Sequence, residues 1–148
     1  MTERTSLPPV EKSIFVPWDP ETAFDRFVHR IGEWWPLETH SVGTDRARTC
    51  AIEPREGGRV YETWDDGTER RWGTVTEWAP PERLAFTWHP GRSETTRQQV
   101  VVTFDAEGDG TRLDVVHGGW ERLGEEAEET RRGYSPGWDH VLGRYADA

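Results

Sequence analysis

Nine tryptophans in 148 residues, two of them adjacent at Trp34-Trp35, set the first limit on what this chain can fold into. Tryptophan is the largest apolar side chain, and its indole N–H needs an acceptor once it leaves water. A core poor in aliphatic residues absorbs several such rings as plugs. Nine exceed what packing alone usually asks. The surplus predicts a cavity or interface walled by aromatic rings, beside a plain packing role for any single one of them.

The length suits one domain that buries its own core without disulfide or metal staples. A formal net charge of -10 argues against nucleic acid and anionic membrane surfaces as partners, because both repel an acidic protein. Lys12 is the only lysine, and no run of basic residues overrides that balance. The single cysteine, Cys50, excludes an internal disulfide and CxxC chemistry, and its flanks read as a strand carrying a packed, reduced thiol. No apolar stretch reaches membrane-spanning length, and the first nine residues hold no hydrophobic signal region. The expectation is a cytoplasmic protein without membrane insertion, with a flexible leader over residues 1–9 and one domain over residues 10–148.

Turn punctuation orders the rest. Val10–Val16 reads as a strand whose buried face is undecided, since both registers carry apolar residues. Asp19 as N-cap, Pro20 as first helical residue and Glu21 in the first turn open a helix. Ala23, Phe24, Phe27, Val28 and Ile31 give that helix one apolar face, and Gly32 is expected to end it. An irregular segment follows to Thr44. Strands are then expected over residues 46–53, 59–64, 69–78, 83–88, 97–105 and 111–117. Asp65-Asp66-Gly67 and the Glu107 to Gly110 segment mark tight turns between them. Short connections between successive strands mean an antiparallel meander. From residue 121 onward the chain reads as helical, with Trp138, Val141, Leu142 and Tyr145 on one face and a break expected at Pro136-Gly137.

Several short motifs are more specific than this element order. Trp34-Trp35 follows the first helix, Glu56-Gly57-Gly58-Arg59-Val60 enters a strand, and Asp66-Gly67 makes the next turn. Trp72-Gly73-Thr74-Val75, Pro80-Pro81-Glu82-Arg83-Leu84 and Phe86-Thr87-Trp88 come next. Gly110-Thr111-Arg112-Leu113, His117-Gly118-Gly119-Trp120 and Gly137-Trp138 complete the set. In number and order they resemble the family named for the activator of heat-shock protein 90 ATPase, within the START-like (SRPBCC) superfamily. The resemblance runs from about Val10 to about Tyr145. It implies an α+β helix-grip fold: a curved antiparallel sheet wrapped around a long C-terminal helix, with an internal cavity between them. The superfamily includes lipid carriers, hormone receptors, polyketide cyclases and aromatases, so the fold alone does not choose an activity.

Strand alternation sorts some faces. Leu84, Phe86 and Trp88 share one, as do Val100, Val102 and Phe104, and Leu113, Val115 and His117. If these faces are concave, Trp88 and His117 point into the cavity. The inner faces of residues 59–64 and 69–78 are undecided, which leaves Tyr61, Glu62, Trp64 and Trp72 as candidate lining residues. His117 has two readings, a group that meets a ligand or moves a proton, and a core histidine hydrogen-bonded to backbone. His40 sits where a loop would cover the cavity mouth, whereas His29, His89 and His140 read as surface. The ligand-binding candidates are Trp34, Trp35, His40, Tyr61, Trp72, Phe86, Trp88, Val102, His117, Trp120 and Trp138. Arg48, Arg59 and Arg70 read either as contacts to an acidic ligand or as surface arginines among many acids.

No nucleophile elbow, phosphate loop, dinucleotide fingerprint or metal-ligand spacing is present, so no cofactor, metal or catalytic residue is assigned. The first functional expectation is binding of a small hydrophobic molecule, aromatic or lipid-like, in the cavity. The alternatives are a cavity enzyme of cyclase/aromatase or hydrolase type, with His117 or a carboxylate moving a proton, and a co-chaperone-like interaction module. In the module, exposed Trp34, Trp35 and Trp120 would anchor a chaperone partner. A homodimer is also allowed for.

Overall fold

The computed structural model describes residues 7–148. Seven strands form one antiparallel sheet: β1 (Val10–Val16), β2 (Ala47–Ile52), β3 (Arg59–Trp64), β4 (Glu69–Ala79), β5 (Arg83–Trp88), β6 (Gln98–Glu107) and β7 (Gly110–Gly118). Their spatial order is β1-β7-β6-β5-β4-β3-β2, a meander from β2 to β7 with β1 returning to the β7 edge. Helices α1 (Pro20–Val28) and α2 (Ile31–Trp34) lie between β1 and β2, and α3 (Ala127–Ala146) closes the chain.

The two halves of this sheet are built differently. Pairings β1–β7, β7–β6 and β6–β5 run in unbroken register. Each of the three pairings from β5 across to β2 contains a register shift, between Val75 and Glu77, Val60 and Tyr61, and Ala47 and Thr49. An extra residue bends a strand and increases its twist. Three in succession curl this half over the concave face, where α3 lies.

Local chemistry sets the helix ends. Asp19 Oδ1 accepts the Thr22 N–H at 2.8 Å and Pro20 takes the first helical position, as the sequence predicts. Gly32 does not terminate this region: α1 ends at Val28, and Gly32 lies inside the short α2. The break expected at Pro136-Gly137 is likewise displaced. Trp120–Glu126 forms a 3-10 segment with Gly124 at φ 64° and ψ -127°, and α3 then runs through Pro136 without interruption. Glycine adopts that backbone conformation without penalty, so the chain turns there instead.

Six tryptophans are buried, Trp34, Trp35, Trp72, Trp88, Trp120 and Trp138, and each indole N–H has an acceptor. The packing reading therefore accounts for most of the excess. Rings of Phe24, Phe27, Phe104 and Tyr145 continue the same cluster, and Tyr145 ties α3 to α1 by donating to the Ala23 carbonyl at 2.6 Å. Cys50 is buried, and burial pushes its thiol well above the ordinary range, which suits a reduced, unreactive side chain. The predicted leader lies largely outside the described residues. Its last part is held, because Arg131 donates to the carbonyls of Pro8 and Pro9. No helix is long and apolar enough to cross a membrane among the described residues.

Candidate ligand-binding site

A cleft of about 570 Å³ opens where α3, the segment after α2 and the β5–β6 loop meet. One wall is a single face of α3, carrying Thr130, Gly133, Tyr134, Gly137, Trp138 and Val141 at helical spacing. The opposite wall is the segment from Thr39 to Val42, and Pro90 and Gly91 form the rim beyond β5. Trp35 and Trp88 contribute rings from the core side. A smaller hollow of about 330 Å³, between α1 and Pro80-Pro81, contains none of the predicted ligand residues.

Two glycines on α3 explain why the helix leaves room. A Cβ at Gly133 would meet nothing within 4 Å, and one at Gly137 would meet only the His40 ring, at 3.6 Å. Each glycine inside a helix costs about 1 kcal/mol relative to alanine. Here that cost falls on the turns that face the cleft.

The opposite wall is irregular backbone and needs an anchor, which Glu62 supplies. Its carboxylate is fully buried. Oε1 accepts the Val42 N–H at 2.7 Å and the Trp72 indole N–H at 2.6 Å. Oε2 accepts the Gly43 N–H and the Trp64 indole N–H, both at 2.8 Å. Four donors on two oxygens saturate a carboxylate. Gly43 is required for the approach, because a Cβ there would collide with the Trp64 indole. Trp35 secures the same segment by donating to the His40 carbonyl at 2.7 Å.

His40 is the imidazole on the cleft wall. Its Nδ1 shares a 2.7 Å hydrogen bond with Thr39 Oγ1, and its ring stacks on His140 of α3 with centroids 5.2 Å apart. Partial burial, reinforced by the neighbouring His140, lowers its pKa below the ordinary histidine value.

His117 lies elsewhere, with no exposed surface. Its Nδ1 accepts the Trp138 indole N–H at 2.9 Å, and since indole is only a donor, the proton resides on Nε2, 3.2 Å from Gln98 Oε1. Trp120 stacks on the ring at 4.1 Å. Burial lowers the pKa to about 3, so the ring stays neutral. It is a satisfied core histidine, bonded to two side chains rather than to backbone.

The cleft brings together Trp35, His40, Trp88 and Trp138 from the predicted set. Trp34, Trp72, Phe86, Val102, His117 and Trp120 are buried in the core behind it. Tyr61 is on the outer face beneath the Arg59 guanidinium, 4.2 Å from its ring centroid. Trp34, Trp35 and Trp120 are not exposed and offer no surface anchors to a chaperone. His89, read as surface, is buried with Nδ1 3.3 Å from the Arg92 carbonyl. Arg48, Arg59 and Arg70 are not among the cleft's lining residues. Sequence reasoning missed Tyr134, Gly133 and Thr130; the pair Gly133 and Gly137, one helical turn apart, was the available signal.

Buried rings of Trp34, Trp72, Phe86 and Trp120 pack behind the cleft, which is the open space beside α3. Residues 20–146 match the family described as activator of Hsp90 ATPase homolog 1-like protein. No curated protein matches the chain. Among solved structures, it is similar to the anthrahydroquino-gamma-pyrone synthase Txn09 complexed with SUM, at 34% identity and TM-score 0.66. That match covers 96% of this chain and 97% of the other. The Aha1 dimer from Colwellia psychrerythraea shares the fold at 14% identity and TM-score 0.68, covering 96% of both chains. CalU16 from Micromonospora echinospora does so at 19% identity and TM-score 0.64, covering 92% of this chain and 70% of that one. The family match spans most of the length, and the chain belongs to the activator of Hsp90 ATPase homolog 1-like family, with the helix-grip fold of START-like (SRPBCC) proteins.

Proposed function

We propose that this protein binds a small, flat aromatic molecule in the cleft between α3 and the Thr39–Val42 segment. The observation that carries the reading is a ring-walled space of about 570 Å³, a size typical of small-molecule sites, kept open by Gly133 and Gly137. The rings of Trp35, Trp88 and Trp138, tilted 40–90° to one another, suit a mixture of face and edge contacts to a rigid aromatic ligand better than enclosing a long acyl chain. The 34% identity to an anthrahydroquino-gamma-pyrone synthase supports the same ligand class.

Tryptophan fluorescence provides the test. Titration with hydroxymethylanthraquinone is expected to quench the emission saturably. Gly133→Leu, which projects a side chain into open space, is expected to abolish that saturation while leaving the thermal midpoint near that of the unsubstituted protein. Linear, unsaturable quenching, or equal affinity in the variant, overturns the reading.

A second reading, ring-forming catalysis on such a ligand, is favoured by the likeness to a synthase. His40 is then the group suited to take a proton from a phenolic oxygen, because it lines the cleft with a lowered pKa, whereas His117 is sealed in the core. A cytoplasmic location accords with a diffusible aromatic ligand. Dimerisation, named for the Colwellia psychrerythraea structure, is checked by light scattering.

A further inference from the structure

The cleft contains one phenol, that of Tyr134, and its proton has no partner in the fold. Trp88 donates its indole N–H to Tyr134 Oη at 2.9 Å. Indole cannot accept in return, so the phenol's own proton must point elsewhere. Among the described residues, Tyr134 Oη makes no hydrogen bond other than the one it accepts from Trp88. Trp88 and Tyr134 both line the cleft, and the Tyr134 ring is fixed from behind by Trp120 and His117, with centroids 5.3 Å and 5.0 Å away. The O–H is therefore a positioned donor at the edge of an aromatic slot.

We infer that Tyr134 selects ligands bearing a neutral oxygen acceptor, a ring carbonyl of a quinone or aryl ketone, and donates its hydrogen bond to that oxygen. This rests on the reading of the cleft as an aromatic site and specifies what the aromatic molecule carries. Three features narrow the acceptor. The lining includes no lysine or arginine, and its one full charge is Glu129, which repels a carboxylate. A net charge of -10 disfavours anionic ligands further. The indole N–H on Oη polarises the phenol and strengthens it as a donor. Burial raises the Tyr134 pKa, opposed by the Trp88 hydrogen bond and by the charge of Arg92, so the proton stays on oxygen at neutral pH. Arg92 lies outside the lining and is paired with Glu126.

The experiment compares hydroxymethylanthraquinone with hydroxymethylanthracene, which has the same three fused rings and no carbonyl. Midpoints of tryptophan quenching are compared rather than amplitudes, because quinones quench indole more strongly. The unsubstituted protein is expected to bind the quinone about tenfold more tightly, the effect of one well-placed hydrogen bond. In Tyr134→Phe that preference is expected to vanish through weakened quinone binding, with anthracene affinity unchanged. Equal midpoints for the two probes in the unsubstituted protein overturn the inference but leave the aromatic site intact. Parallel weakening of both in Tyr134→Phe also overturns it, since Tyr134 would then serve only packing. If neither probe saturates, the site itself is refuted, and the inference with it.

Discussion

Glu62 and His117 are both buried to zero exposure, one in the bulged half of the sheet and the other in the regular half, and the fold holds them in opposite ways. Every partner of Glu62 is a donor, so its surroundings require a full negative charge. His117 has one donor facing one nitrogen and one acceptor facing the other, with an indole on its ring, so its surroundings require neutrality. A protonated ring would set an N–H against the Trp138 N–H. The difference follows what each group must hold. His117 joins β6, β7 and α3, elements whose backbones already satisfy themselves. Glu62 holds Val42 and Gly43, irregular backbone with orphan amides, and only a charged acceptor gathers four donors from three segments.

The largest expected effect comes from breaking the Glu62 arrangement. In Glu62→Gln, one oxygen becomes an NH₂ group pointing at two N–H donors, which leaves those donors unsatisfied in the interior. Stability is expected to fall by roughly 2–5 kcal/mol and the thermal midpoint by about 10 °C. Amide hydrogen exchange at Val42 and Gly43 is expected to accelerate more than exchange in β6. A midpoint within about 2 °C of the starting protein, by the same conversion, would mean that the segment is held without the charge.

That contrast also explains what could be read in advance. Alternation located the inner faces of β5, β6 and β7 because each has one apolar register, and His117 ends one of these faces. It failed on β3, where Val60 and Glu62 face inward and Tyr61 outward, because a buried carboxylate breaks the hydropathy pattern. The donors that make Glu62 tolerable inside include amides 19 and 20 residues away in sequence, beyond any local window. Turn residues marked the strand ends, since Asp66-Gly67 and Asp109-Gly110 act locally. The cleft was less legible. Trp35, His40, Trp88 and Trp138 were singled out as aromatic candidates, but the open space depends on side chains that are missing at Gly133 and Gly137.

An intermediate effect, visible only through pH, is expected at His117. In the unfolded chain the imidazole takes up a proton below about pH 6.5. In the fold it stays neutral down to about pH 3. Between these values the unfolded state binds more protons, so this contribution is complete above pH 6.5 and is lost as pH falls, at up to about 1.4 kcal/mol per pH unit. His117→Asn keeps an oxygen that can accept from Trp138 and removes the titration. Urea unfolding at stepped pH is expected to show a shallower decline between pH 6.5 and 3 in the variant than in the unsubstituted protein, about 1.4 kcal/mol per unit less at most. Identical slopes would mean that the folded protein admits a proton to His117.

The smallest effect is the sharpest on the question of how Glu62 distributes its charge. Trp64 is half-buried, with the guanidinium groups of Arg46 and Arg70 at 4.8 Å and 4.9 Å from its ring, and its N–H is one of four on the carboxylate. Trp64→Phe keeps a ring for the arginines to stack on and removes that single donor. Three partners remain, and Oε2 still accepts from Gly43, so no group is orphaned. The expected loss is about 1 kcal/mol, or 2–4 °C in thermal midpoint, with Val42 and Gly43 exchange nearly unchanged. A loss as large as that of Glu62→Gln would instead mean that the four bonds stand or fall together. The wall of the cleft would then be a single cooperative unit, and the Trp64 indole would be as necessary to it as the carboxylate.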